Sequence, residues 1–151
     1  MKKFFTVLGI IFATLIIIGA IGLGISARQG RQLDAESKAY VDEVVPKILT
    51  DLTPETFYVY ASEEFTKAVP RKKLESLCNL FKKLGRFIKY NGSEGDSKTT
   101  LMNNQKSVLA EYVASADFEK GPAEVRVALI KHDDKWYVLY FNINSEAFLE
   151  K

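Results

Sequence analysis

The sequence predicts an α+β fold: an N-terminal transmembrane helix, then a layer of helices packed on an antiparallel sheet. Three observations predict it. Residues 4–25, FFTVLGIIFATLIIIGAIGLGI, carry no charge. Between residues 33 and 85, apolar residues recur at three- and four-residue steps, punctuated by Pro46, Pro54, Pro70 and Gly85. From Ser107 to Ser145 they alternate instead, in three runs separated by Gly121-Pro122 and Asp133-Asp134, which is the pattern of a meander.

The first element is the uncharged run. Its 22 residues would span roughly 33 Å as a helix, enough for the apolar core of a bilayer. A cleaved signal peptide is the rival reading, with Lys2-Lys3 as its positive start and Ala27 as the small residue before the cut. The run is longer than such a peptide needs, which favours an anchor over residues 1–27, a linker over 28–32 and one domain over 33–148. Lys2 and Lys3 favour a cytoplasmic N-terminus and hence an extracytoplasmic domain at the cell membrane, although Arg28 and Arg31 nearly balance them. The Ala20/Gly24 spacing would suit a helix-dimer face, but glycine is also common in membrane helices generally.

The first domain helix takes its stripe from Tyr40, Val41, Val44, Ile48 and Leu52. Asp34 and Glu36 suit a first turn, and Pro46 predicts a kink or break near Val45. Thr53-Pro54-Glu55 opens a second, short helix to about residue 61, with Phe57, Tyr58 and Ala61 inward; Phe65 and Val69 prolong that contact. Pro70 opens a third, Arg71 to Leu84, with Leu74, Leu77, Cys78, Phe81 and Leu84 buried and Gly85 stopping it. Arg86 to Asn91 reads as a short strand ended by an Asn91-Gly92 turn. Residues 92–106, polar apart from Leu101 and Met102, read as a mobile loop with a short edge strand at 99–103.

In the meander, Val108, Ala110, Tyr112, Ala114, Ala116 and Phe118 share one face of the first strand, and Val125, Val127 and Leu129 one side of the second. The third, Lys135 to Asn144, is apolar on both sides. One helical layer covers only one side, so Tyr137, Leu139 and Phe141 are expected to meet a protein partner or a second copy on the outer face.

Composition excludes several classes. Lys2 and Lys3 account for two of the 21 basic residues, so residues after Ala27 hold 19 of each sign. A neutral domain argues against nucleic acid as a partner. One cysteine, Cys78, and one histidine, His132, leave no disulfide and no Cys/His metal cluster. Walker, GxSxG, HExxH and dinucleotide fingerprints are absent, so no cofactor, metal or catalytic residue is predicted, and the chain is read as no enzyme. Cys78 falls on the helix stripe as a small core residue. His132, Asp133 and Asp134 read as a solvated hairpin turn.

Charge is nonetheless uneven. Eight acids stand against two lysines in residues 34–64, and eight basic residues against Glu75 in residues 67–89. Arg71, Lys72 and Lys73 stand at a helix start, where the dipole disfavours cations. With Lys82, Lys83 and Arg86 they form a candidate contact for anionic headgroups or an acidic partner; two solvated helix faces that attract one another are the alternative.

Helices first and a long-stranded meander last is also a familiar order. Asp51 to Phe65 (DLTPETFYVYASEEF), Leu84-Gly85, Tyr112 to Glu119 (YVASADFE), Asp134 to Val138 (DKWYV) and Asn142 to Ser145 (NINS) carry a resemblance to the nuclear transport factor 2-like (cystatin-like) superfamily over about residues 33–148. The resemblance implies a strongly curved sheet wrapped around a long first helix as a cone with an open mouth. Enzymes of that superfamily, such as ketosteroid isomerases and polyketide cyclases, keep an acid or a histidine inside the cone; His132 in a turn does not fit that role. Tyr40, Tyr58 and Tyr112 would then line a pocket for a small apolar ligand, unless they are core tyrosines with satisfied hydroxyls. Such folds host enzymes and binding modules alike. The expected role is therefore a membrane-anchored extracytoplasmic binding or assembly module. A small enzyme or ligand binder using the cone, and an accessory subunit of an envelope complex, are the alternatives.

Overall fold

The computed structural model describes residues 27–149. The anchor expected over residues 1–27 lies outside them except for Ala27; among the described residues no helix is long and apolar enough to cross a membrane. Four helices come first: α1 (Ala27–Asp51), α2 (Pro54–Tyr60), α3 (Glu63–Ala68) and α4 (Arg71–Phe81), the last followed by a 3-10 turn, Lys82–Leu84. Four strands follow: β1 (Phe87–Met102), β2 (Gln105–Phe118), β3 (Gly121–His132) and β4 (Lys135–Asn144). They form one antiparallel sheet in the order β1-β2-β3-β4. The α+β class, a helical layer on an antiparallel sheet, is as the sequence predicts.

Local chemistry explains most boundaries. Thr53 caps α2 by accepting from the Thr56 amide, and Pro54 occupies its first turn. Ser62 caps α3 in the same way through the Phe65 amide, in a Ser-Glu-Glu start that the sequence reading passed over as a helix. Pro70 precedes α4, and Gly85 ends the turn after it with φ 81. There an added Cβ would stand 2.7 Å from the Glu119 carboxylate, so only glycine fits without a shift.

Three expectations need correction. Residues 28–32 are helical, so α1 begins ahead of the stripe that the sequence marks. Pro46 does not break α1, which runs on to Asp51. The lost backbone bond there is offset by burial of Val44, Val45, Ile48 and Leu49 on both sides of it. Residues 92–106 are not a loop: β1 continues to Met102, β2 begins at Gln105, and the meander has four strands. Asn91-Gly92 is no turn but part of a register shift between Tyr90 and Ser93, with Gly92 at φ 102. The turn comes later, at Asn103-Asn104, both left-handed (φ 50 and 62) as a tight hairpin requires.

The inner face carries Ala110, Tyr112, Ala114, Ala116 and Phe118 from β2, and Ala123, Val125, Val127 and Leu129 from β3. Against it pack Val41, Val44, Val45, Ile48 and Leu49 of α1 and Phe57, Phe65, Leu74, Cys78 and Phe81 of the shorter helices. β4 holds the main surprise. Ala128 faces Tyr140 and Leu129 faces Val138, so Leu139 is an extra residue. This bulge shifts the alternation by one. Trp136 and Val138 before it, and Phe141 and Ile143 after it, are therefore all buried in the core.

Candidate functional site

The α2–α3 segment closes the free edge of β4. Ala61 forms a parallel bridge with Val138, and the Ser62 amide donates to the Val138 carbonyl at 2.8 Å. Beyond this seam lies an apolar cleft of about 50 Å³ among α2, α3, α4 and β4. Phe57, Phe65, Leu77, Leu139, Tyr140 and Phe141 are among the residues that line it. Phe57 stacks at 6.2 Å on Phe65 and meets Phe141 edge-on at 5.0 Å, which fixes the floor. Ligand pockets for whole small molecules run to roughly 300–1,000 Å³. This cleft accepts one or two apolar side-chain groups at most.

Of the three residues expected on the outer face, Phe141 is a correction: the bulge turns it into the core. Leu139 is half-buried in the cleft wall. Tyr137 does stand on the outer face, its ring 6.3 Å from that of His132. Around it that face holds a small apolar cluster. Ala128 and Ile130 are buried yet stand apart from the main core, flanked across the strands by Leu109, Glu111, Tyr137 and Tyr140. Val113, also on this face, is 44% exposed. Desolvation pushes the Glu111 carboxyl above its ordinary value; Asp96 adds to this and Lys98 opposes it.

None of the tyrosines expected in a pocket lines the cleft just described. Tyr112 is buried, and its hydroxyl lies 2.8 Å from Ser37 Oγ and donates to the Asp34 carbonyl, so it is a core tyrosine with a satisfied hydroxyl. Tyr40 and Tyr58 are half-buried against the core. Burial pushes the Tyr40 phenol up to about 12, with Tyr60, Tyr137 and Glu43 adding to it.

The basic cluster is divided. Arg71 is held by Glu55 of α2 and by Glu75 one turn on, which relieves the conflict of a cation at a helix start. Arg86 pairs with Glu119 at 3.3 Å. Lys73 is half-buried, while Lys72, Lys82 and Lys83 are exposed.

A row of side chains fastens α1 to β1. Asp34 accepts from the Ser97 amide at 2.7 Å. Asp42 accepts from Tyr90 Oη at 2.8 Å and Ser93 Oγ at 2.6 Å, and pairs with Lys38 at 2.9 Å. Lys38 in turn donates to the Ser93 carbonyl at 2.8 Å. Nearby, Glu36 pairs with Lys131, whose ammonium stands 5.5 Å from the Trp136 ring centroid. No family model, curated protein or solved structure matches this chain. Among the described residues no three His, Cys, Asp or Glu side chains gather as metal ligands. Burial pushes the Cys78 thiol up to about 11, where it is a poor nucleophile. His132 is exposed at the end of β3, 2.8 Å from Glu64 Oε1, with Asp133 and Asp134 forming the turn beyond it.

Sequence reasoning missed the α1–β1 row entirely. Its acids sit on the polar flank of a helical stripe and look like solvated charge; only the four-residue acid–lysine spacing Lys38/Asp42 hinted at order.

Proposed function

We propose that this chain is a membrane-anchored, extracytoplasmic binding or assembly module of nuclear transport factor 2-like layout. The observation that carries the reading is the outer sheet face, where half-exposed Val113, with Leu109, Tyr137 and Tyr140, surrounds buried Ala128 and Ile130. An apolar cluster that no helix among the described residues covers suits a protein contact. The 22-residue uncharged run supports the anchor. Helices before a four-stranded meander support the family layout, and the register shifts in β1 and β4 support a sheet bent toward a cone. The occupant of the outer face is a partner protein or a second copy.

Photo-cross-linking of the full-length chain in its native membrane tests this. A photoreactive residue at Val113 or Tyr137 is expected to give one defined adduct, whose mass tells a homodimer from a hetero-complex. The same residue at Val59, 70% exposed on α2, is expected to give none. Adducts from Val59 but not from the sheet face would overturn the reading.

A further inference from the structure

We propose that the tip of the β1–β2 hairpin is a second membrane contact, resting on the bilayer surface from which α1 emerges. The proposal builds on the anchor reading above. Its geometric basis is the row of contacts between α1 and β1. Asp34 meets Ser97, Lys38 meets Ser93, and Asp42 meets Ser93 and Tyr90. As α1 numbers rise, β1 numbers fall, so the end of β1 points toward the start of α1.

Distances along the two elements then decide where the tip falls. From Ser97 to Leu101 is four strand residues, about 13 Å. From Asp34 back to Ala27 is seven helical residues, about 10 Å. Leu101 and the helix start therefore draw level within about one helical turn, and the Asn103-Asn104 turn reaches about 7–10 Å beyond Leu101. Ala27 follows the 22 uncharged residues almost directly. If that run crosses a bilayer, the hairpin tip reaches the same surface.

The tip's composition fits that surface. Leu101, beside the Asn103-Asn104 turn, is 71% exposed. Residues 97–110 contain Lys98 and Lys106 and no acid. An exposed leucine between two lysines suits an interface of anionic headgroups over acyl chains. The neighbouring acidic turn stays back. β2 pairs with β3 only from Val108 onward, opposite Lys131. Asn104 lies four residues past that point and Asp133 only two, so the basic tip reaches roughly 7 Å farther than Asp133-Asp134.

Depth-dependent quenching on the full-length chain tests the proposal. An environment-sensitive fluorophore is placed on Gln105→Cys and, as the far-end control, on Glu124→Cys; buried Cys78 stays unlabelled. Each chain is reconstituted into phosphatidylcholine vesicles containing phosphatidylglycerol, with a spin-labelled lipid near the headgroups. The label at 105 should be quenched several-fold more than that at 124, and Leu101→Asp, or Lys98→Glu with Lys106→Glu, should remove most of the difference. A chain that survives alkaline washing of the vesicles but is quenched equally at 105 and 124 overturns the hairpin contact and leaves the anchor standing. Quenching at 105 that neither variant reduces overturns the role of Leu101 and the lysines. A chain that washes off overturns the anchor and this contact together.

Discussion

Asp42 shows how much one side chain holds. Desolvation there favours the neutral acid. The hydrogen bonds from Ser93, Lys38 and Tyr90, with the Lys38 charge, together outweigh it, and the carboxyl sits below its ordinary 3.8. Replacing it with alanine strands three donors at a half-exposed seam; Asp42→Ala should cost about 1–2 kcal/mol in urea unfolding. The same shift fixes a pH dependence. A carboxyl with a depressed folded pKa binds fewer protons folded than unfolded, so its stabilisation is complete above the ordinary value and is lost as pH falls through the folded one. Glu36, lowered first by the hydrogen bond from Lys131, acts in the same sense from an ordinary value of 4.5. The urea midpoint should therefore hold between neutral pH and about pH 5 and fall by about pH 3. A midpoint flat to that pH would show that neither pair stabilises the fold. Gly95 is a second decisive residue. A Cβ there would lie 1.9 Å from the Glu111 carbonyl oxygen. Gly95→Ala should destabilise by about 2–3 kcal/mol, reversing the usual gain from replacing a strand glycine, by forcing β1 away from β2.

Among the elements, β4 turns on its bulge. Were Leu139 paired in the ladder instead of bulged, the alternation would run unbroken, and Phe141 and Ile143 would swing to the outer face. One alanine inserted between Tyr140 and Phe141 should therefore abolish cooperative folding, seen as loss of near-ultraviolet dichroism, while deletion of Leu139, which leaves Phe141 and Ile143 facing the core, and Leu139→Ala should both fold. Here the sequence was least legible. Trp136 to Ile143 is apolar at nearly every position, with no glycine or proline to mark a shift. The register is set instead by Phe141 meeting Phe57 across the core, a contact that periodicity cannot reveal. The cleft wall was half legible for the same reason. Phe57, Phe65 and Leu77 read as apolar stripes, whereas Leu139 reaches the wall only through the bulge. By contrast α4 could be read closely, because Pro70 and Gly85 bracket it. The outer end of β1 could not. As an edge strand paired on one side, it needs no apolar alternation, and polar residues that look like loop can form it.

At the scale of the whole molecule, the layers came through because burial enforces them. The inner-face residues of β2 and β3 and the stripe of α1 are where alternation and helical spacing put them. What joins the layers laterally did not come through, since polar contacts such as Asp34–Ser97 leave no period in the sequence. Those contacts span great lengths of chain. Ser37 and Tyr112 are 75 residues apart, and Asp34 and Tyr112 are 78. The sheet, by contrast, is three successive hairpins. α1 is thus made first and matched last. At about 5–20 residues per second of synthesis, its stripe of Val41, Val44, Val45, Ile48 and Leu49 waits roughly 4–15 s for a sheet to cover it. Nascent chains arrested before β2 has left the ribosome should be cut readily within α1 by added protease, and chains arrested beyond Ser145 with the sheet fully emerged should resist. Protection in the shorter chains would mean that α1 has found another cover. During that interval the exposed stripe is the natural target of a chaperone or of the translocation machinery, and the order of synthesis makes α1 the segment on which misfolding of this chain would begin.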